Sequence, residues 1–219
     1  MKNKTLEQRL NAIRAGILGA NDGILTTVGV IFSLGIATGD KSLMILAGVS
    51  NLIACALSMS SGEYNSVSSQ KDLELSSLAK ENKSFVLNKN KSLKYLINSY
   101  IKRGVPEDLA YKLVAQLNDP IKQILEEKYN IELGNSIKPS EASLYSLIFA
   151  FVFGMIPLIC LLLAPKDLWY PITIAGALIS STSVTIISSK MSESKVLKAV
   201  FRNVFIVAIC ITINFIFGI

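Results

Sequence analysis

The chain has 219 residues, 51% hydrophobic and 17% charged, with a formal net charge of +6 and a mean hydropathy of +0.46. Soluble domains carry about 25% charged residues, and here the charges collect in blocks between long apolar runs. The composition therefore excludes an ordinary soluble globule and predicts an all-α, multi-pass membrane protein. Histidine is absent, which removes His-based triads, proton relays and zincin-type metal sites, and Cys55, Cys160 and Cys210 stand singly without a CxxC, so no disulfide framework or zinc–thiolate site is expected.

Residues 1–12 are polar, with Leu6, Leu10 and Ile13 at helical spacing. They read as an interfacial lead-in without a signal-cleavage pattern. Ile13 to Ala37 is the first span, 25 residues with Arg14 at its edge and Asp22 inside as the only ionisable side chains. That length crosses a hydrocarbon core with some tilt. Thr38-Gly39-Asp40-Lys41 makes a tight turn. The second span starts near Ser42, stays apolar to Met59 and continues as a polar helix through Glu63, Ser66 and Gln70.

Residues 71–141 form a separate insert holding 12 of the 22 basic and 10 of the 16 acidic residues. Three short amphipathic helices are predicted there. One ends at Gly104, one opens at Pro106-Glu107-Asp108, and one opens at Asp119-Pro120 and closes at Gly134 and Pro139, with Ser140 placed to cap the next helix. Leu144 to Ala164 is a third span of 21 residues, kinked at Pro157. After the turn Pro165-Lys166-Asp167, Leu168 to Ser189 is a fourth, with seven hydroxyls between Ser180 and Ser189 that suit packing between helices. Lys190 to Arg202 is a basic loop, and a short fifth span runs from about Val200 to Ile219 with Arg202 snorkelling at its start.

The organisation is thus 1–70 (lead-in and two spans), 71–141 (insert) and 142–219 (three spans). Lys and Arg divide as 4 in the N-terminus, 12 in the insert and 4 in the 190–202 loop against Lys41 and Lys166 on the other side. With the long insert discounted, 8 against 2 still places the N-terminus and insert in the cytosol and the C-terminus opposite. The excess of basic residues reports orientation, and no nucleic-acid partner is expected. Without histidine no nucleophile–base set can be assembled, and a cofactor-binding glycine loop is missing, so an enzyme is not expected either.

An acid near the bilayer centre costs about 2.5–3.5 kcal/mol on insertion scales, so it faces protein or a watery path. Asp22, Thr26, Gly29 and Ser33 share one helical face. Gly19 and Gly23, with Ala15 a turn earlier, let another helix approach closely. On the second span Asn51, Cys55, Met59 and Glu63 recur every four residues, a stripe that precesses by about 40° per step. Hard oxygen ligands suit Mg²⁺, Ca²⁺ or Mn²⁺, and adding a methionine sulfur favours a softer ion such as Fe²⁺. Weak mixed coordination lets an ion leave again, and carboxylates exchange metal for protons naturally. Plainer roles stay open: Asp22 as a packing hydrogen-bond partner, Met59 and Cys55 as core residues, and Glu63 in the headgroup region.

Two stretches carry a family resemblance: Gly19-Ala20-Asn21-Asp22-Gly23-Ile24-Leu25-Thr26-Thr27, and Ser58-Met59-Ser60-Ser61-Gly62-Glu63-Tyr64 running on to Gln70-Lys71-Asp72. With Glu132-Leu133-Gly134 and Gly154-Met155-Ile156-Pro157-Leu158, in this order along five spans, the chain resembles the vacuolar iron transporter family. The resemblance implies transport of Fe²⁺, often also Mn²⁺, out of the cytosol in exchange for protons. It also implies a homodimer whose path lies between the subunits, lined by Asp22 and Met59, with Ala15, Gly19 and Gly23 fitting the helix pairing at that interface. Glu63 is the expected cytosolic-side carboxylate, and Asn51 and Thr26 are weaker candidate ligands. No permanently bound cofactor is expected.

The chain departs from the family in two places. Asn51 stands where many members have a glutamate, and Lys128-Tyr129 stands where many have paired methionines. The insert's candidate metal acids are Glu74, Glu81, Glu126, Glu127 and Glu132. A lysine-, asparagine- and serine-rich chain suits a bacterial inner membrane, with a vacuolar membrane as the alternative. The alternative function is a membrane-anchored metal sensor or scaffold that acts through the insert.

Overall fold

The structure, a computed structural model, describes residues 6–129, 137–192 and 194–217. Every long element among them is helical. Five helices are long and apolar enough to cross a membrane: α1 (Leu6–Thr38), α2 (Lys41–Leu87), α6 (Pro139–Leu163), α7 (Trp169–Met191) and α8 (Val196–Phe217). Three short helices, α3 (Lys89–Lys102), α4 (Glu107–Ala115) and α5 (Pro120–Tyr129), lie between α2 and α6. The chain divides into two compact units, residues 1–67 with 137–219, and residues 68–136.

The turn between α1 and α2 follows from local chemistry. Gly39 adopts φ +63°, a left-handed conformation that favours glycine. Asp40 Oδ1 then accepts from the backbone N–H of Ser42 at 2.7 Å and Leu43 at 3.3 Å, capping α2. Lys41, counted above among the few basic residues opposite the insert, donates to the carbonyls of Leu162 at 3.1 Å and Ala164 at 2.7 Å. It so satisfies orphan carbonyls at the end of α6.

In the first unit, α1 packs against α6, α7 and α8. The core joins Ala20, Ile24, Val28, Ile31 and Phe32 of α1 to Met44 and Leu52 of α2, Leu158 and Leu161 of α6, and Ala177 and Val184 of α7. Leu46, Leu57, Phe151, Leu162, Ile179 and Phe205 remain exposed, as hydrocarbon-facing residues of spans should. The hydroxyls of α7 do bind neighbouring helices: Ser180 donates to the Phe153 carbonyl at 2.8 Å, and Asn203 of α8 donates to the Ser181 carbonyl at 3.0 Å and to Thr185 Oγ1 at 2.6 Å.

Two details differ from expectation. α2 does not stop near Gln70 but continues to Leu87, because no glycine or proline interrupts residues 63–87 and a shift to polar composition does not by itself end a helix. Asn88 sets the next start, its Oδ1 accepting from Lys91 N–H at 3.1 Å. Ser140 is not the cap of α6: Lys138 holds that position without a side-chain bond, and Pro139 is inside the first turn, where its missing N–H costs nothing.

The second unit is a small helical body around Leu96, Ile97, Ala110, Val114 and Ile124. Gly104, at φ +90°, turns the chain between α3 and α4. The predicted helix ends at Gly104, Pro106 and Asp119-Pro120 coincide with these element bounds. Gly134, the expected close of the third helix, lies outside the described residues.

Candidate functional site

Asp22 is partly buried midway along α1. Among the described residues its carboxylate has one side-chain partner: Cys55 Sγ donates to Oδ2 at 3.2 Å. The thiol is neutral, so the carboxylate's charge is unmatched within the described chain and open to a proton or a cation. Sequence reasoning took Cys55 for a small core residue. The signal that could have found it was its place in the four-residue stripe of α2, one position from Met59.

That contact fixes the register of the two spans. Met59 and Glu63, both partly buried, follow Cys55 along α2 at about 6 and 12 Å, from a rise of about 1.5 Å per residue. One turn from Cys55 the other way, Asn51 lines a cleft of about 620 Å³ together with Thr26, Gly29 and Ser33 of α1. Thr26 Oγ1 donates to the Asp22 carbonyl at 2.8 Å, so the cleft begins one turn from the acid. The structure therefore brings Asp22, Thr26, Asn51 and Cys55 into one neighbourhood, and α2 carries the stripe on to Met59 and Glu63. A separate cleft of about 380 Å³ is walled by Ile53, Leu57, Ile148 and Phe151, an apolar surface suited to hydrocarbon and not to ions.

The small-residue face has another use than expected. A Cβ on Gly19 would lie 2.5 Å from the Ser146 carbonyl oxygen, and one on Gly23 2.6 Å from that of Ala150. Ala15 is buried in the cluster with Ala142 of α6. Ala15, Gly19 and Gly23 thus pack against α6 of the same chain, and the face assigned above to a second subunit is already covered. The close approach was legible; which helix approaches was not, because small-xxx-small spacing does not name its partner.

In the second unit two of the candidate acids, Glu81 and Glu127, are engaged by neighbouring side chains. Glu81, 3% exposed, accepts from Lys128 Nζ and Tyr129 Oη, each at 2.8 Å. The Lys128 ammonium lies 5.9 Å from the centre of the Tyr95 ring and 5.4 Å from that of Tyr129. Burial opposes the charge on Glu81, but Lys128 and Tyr129, with the field of Lys80, hold its carboxyl below the ordinary value. The same hydrogen bond holds Lys128 above its ordinary value, against burial. Glu127 accepts from Ser99 Oγ at 2.6 Å and pairs with Arg103 at 2.9 Å. Glu74 and Glu126 are partly buried on α2 and α5, and Glu132 lies outside the described residues. Among the described residues no three His, Cys, Asp or Glu side chains cluster as a metal site.

These features define a multi-pass helical membrane protein with a carboxylate and a thiol between its first two spans and a partly polar cleft beside them, lined also by the fifth. The chain belongs to the VIT family, whose sequence model matches residues 13–219. It is 33% identical over 173 residues to a vacuolar iron transporter of Acanthamoeba castellanii, covering 78% of this chain and 63% of that protein. It is 40% identical over 78 residues to vacuolar iron transporter homolog 5 of Oryza sativa subsp. japonica, covering 36% of this chain and 38% of the relative. It is 41% identical over 75 residues to vacuolar iron transporter homolog 1 of Arabidopsis thaliana, covering 34% and 38%. The chain thus spans less than two thirds of the length of each of these curated relatives.

Proposed function

We propose that the protein carries a divalent transition metal out of the cytosol, Fe²⁺ first and Mn²⁺ as a second cargo, in exchange for protons. The observation that carries this reading is Asp22: a carboxylate inside a membrane-spanning helix, held by the thiol of Cys55 and by no basic side chain among the described residues. An acid inside a span without a charged partner marks a functional site, and a cation is the partner that would offset its cost. The iron in the names of the relatives supports the choice of cargo.

In this reading a cation meets Glu63 and then Met59 at the cytosolic end of the α2 stripe and reaches Asp22, where oxygen and sulfur ligands meet. Methionine sulfur favours Fe²⁺ over harder ions. Protonation of Asp22 from the far side weakens its hold and releases the metal, and loss of that proton to the cytosol resets the site. Thr26 and Asn51 continue the polar lining beyond the acid. The proposed setting is a bacterial inner membrane, with the N-terminus and the insert cytosolic. The reading includes a homodimer. Since α6 covers the Gly19–Gly23 face, a second copy would meet a different face of α1, such as the one carrying Leu18, which is 55% exposed.

The test is Fe²⁺ uptake into proteoliposomes by wild type and Asp22→Asn. The substitution keeps shape and removes charge, and flux is expected to fall at least about a hundredfold, the loss of about 2.7 kcal/mol of stabilisation. Flux unchanged in Asp22→Asn would remove the acid from the path. A folded wild type without flux would favour the sensor or scaffold function.

A further inference from the structure

The cleft beyond Asp22 has a third wall, from α8. Cys210 and Asn214 line it opposite Thr26, Gly29, Ser33 and Asn51. The two asparagines of α8 behave differently. Asn203 is spent on hydrogen bonds to α7. Asn214 makes no bond to another helix among the described residues: its Nδ2 donates to the Cys210 carbonyl of its own helix at 2.8 Å. Its Oδ1 lies over α1 where Gly29 has no side chain, and a Cβ there would come within 2.9 Å of that oxygen. On α2, Asn51 Nδ2 is buried and has no hydrogen-bond partner among the described residues. Among the described residues neither amide hydrogen-bonds its helix to a neighbouring helix, whereas polar groups at membrane depth normally find such partners.

Position and chemistry give them a use. The cleft starts one turn past Asp22 on α1 and runs toward the end of that helix at Thr38, away from Glu63. Among the described residues its polar lining groups are amides, hydroxyls and a thiol, with no carboxylate side chain. Neutral oxygens hold a divalent cation weakly and tolerate retained water, and about 620 Å³ compares with about 30 Å³ per water in the liquid. A cation leaving Asp22 therefore enters a site that can take it with part of its hydration shell and still let it go.

We propose that this cleft is a second cation site, a neutral release station on the far side of Asp22, and that the Asn214 amide oxygen on α8 is its principal ligand. The proposal rests on the transport reading above and adds to it a fifth-span residue that sets affinity on the release side. Mn²⁺, which resists oxidation in the assay, is the probe. Oriented proteoliposomes of wild type, Asn214→Leu and Asn214→Asp, each checked for normal elution as a folded species, are assayed for half-saturation from the cytosolic face and for inhibition by Mn²⁺ on the far face.

Asn214→Leu is expected to weaken far-face inhibition about tenfold while changing cytosolic half-saturation less than about twofold. Asn214→Asp adds charge. It is expected to tighten far-face inhibition about tenfold and to slow net flux while Mn²⁺–Mn²⁺ exchange persists. A purely structural asparagine would not move far-face inhibition in opposite directions in the two variants while sparing cytosolic half-saturation in Asn214→Leu. Active wild type with far-face inhibition unaltered in both variants overturns the release station alone. A folded wild type that carries no Mn²⁺ or Fe²⁺ overturns the transport reading and the station with it.

Discussion

At the scale of residues, single side chains decide what each acid can do. Asp22 and Glu81 are both shielded carboxylates, yet Asp22 meets a neutral thiol and Glu81 meets an ammonium. The buried pair in the insert makes a pH-dependent prediction. Glu81 titrates lower in the folded protein than when unfolded, so its contribution to stability is complete above its ordinary value of 4.5 and is lost as pH falls through the folded value. Lys128 titrates higher when folded, so its contribution is complete below 10.5 and is lost as pH rises through its folded value. Hydrogen exchange of α5 in the intact protein should therefore show a plateau between these limits, and Glu81→Gln should abolish its acid edge.

Lys128→Met leaves the buried Glu81 carboxylate with the Tyr129 hydroxyl and without its counter-charge. The cost should be about 2 kcal/mol, below the 3–5 kcal/mol of fully buried pairs, because the Lys128 side chain is 42% exposed. Asp22 was legible as an acid in an apolar run. Its thiol partner was not, because a lone cysteine in a span is chemically indistinct from a small core residue until the facing helix is in place.

At the scale of elements, hydrophobic run length and turn chemistry made the spans and the three insert helices legible. Helix continuity and helix partnership were harder to read. The charge-rich stretch after Gln70 falls in the second unit, yet it continues α2 unbroken as far as Leu87, since nothing in it breaks a helix. Gly19 and Gly23 signalled close packing without naming α6. This makes a contrast between two glycines of spans α1 and α2 testable. Gly23→Ala places a methyl against the Ala150 backbone, which can yield only by moving a helix, and thermal unfolding should show a loss of about 1–3 kcal/mol. A Cβ at Gly62 meets nothing within 4 Å, so Gly62→Ala should be neutral or stabilising by up to about 1 kcal/mol, the difference in helix propensity. Equal effects at the two positions would contradict the α1–α6 contact.

At the scale of the molecule, family membership, five spans and the asymmetric distribution of basic residues describe one kind of object, a helical membrane protein with an acid inside it. Charge counting gave an orientation and the apolar runs gave the spans. The polar cleft was not readable, because Asn214 is more than 160 residues from Asn51 in sequence and only the folded bundle sets the two on one cavity.

The central claim is that Asp22 exchanges metal for protons. The most direct measurement is simultaneous Fe²⁺ and proton flux, with a metal probe and a pH dye sealed in the same proteoliposomes, in wild type and Asp22→Ala. The account predicts that wild type moves Fe²⁺ one way and protons the other in a fixed ratio, and that both fluxes vanish together in Asp22→Ala. Fe²⁺ flux without proton counterflow, or paired fluxes that survive in Asp22→Ala, would contradict it.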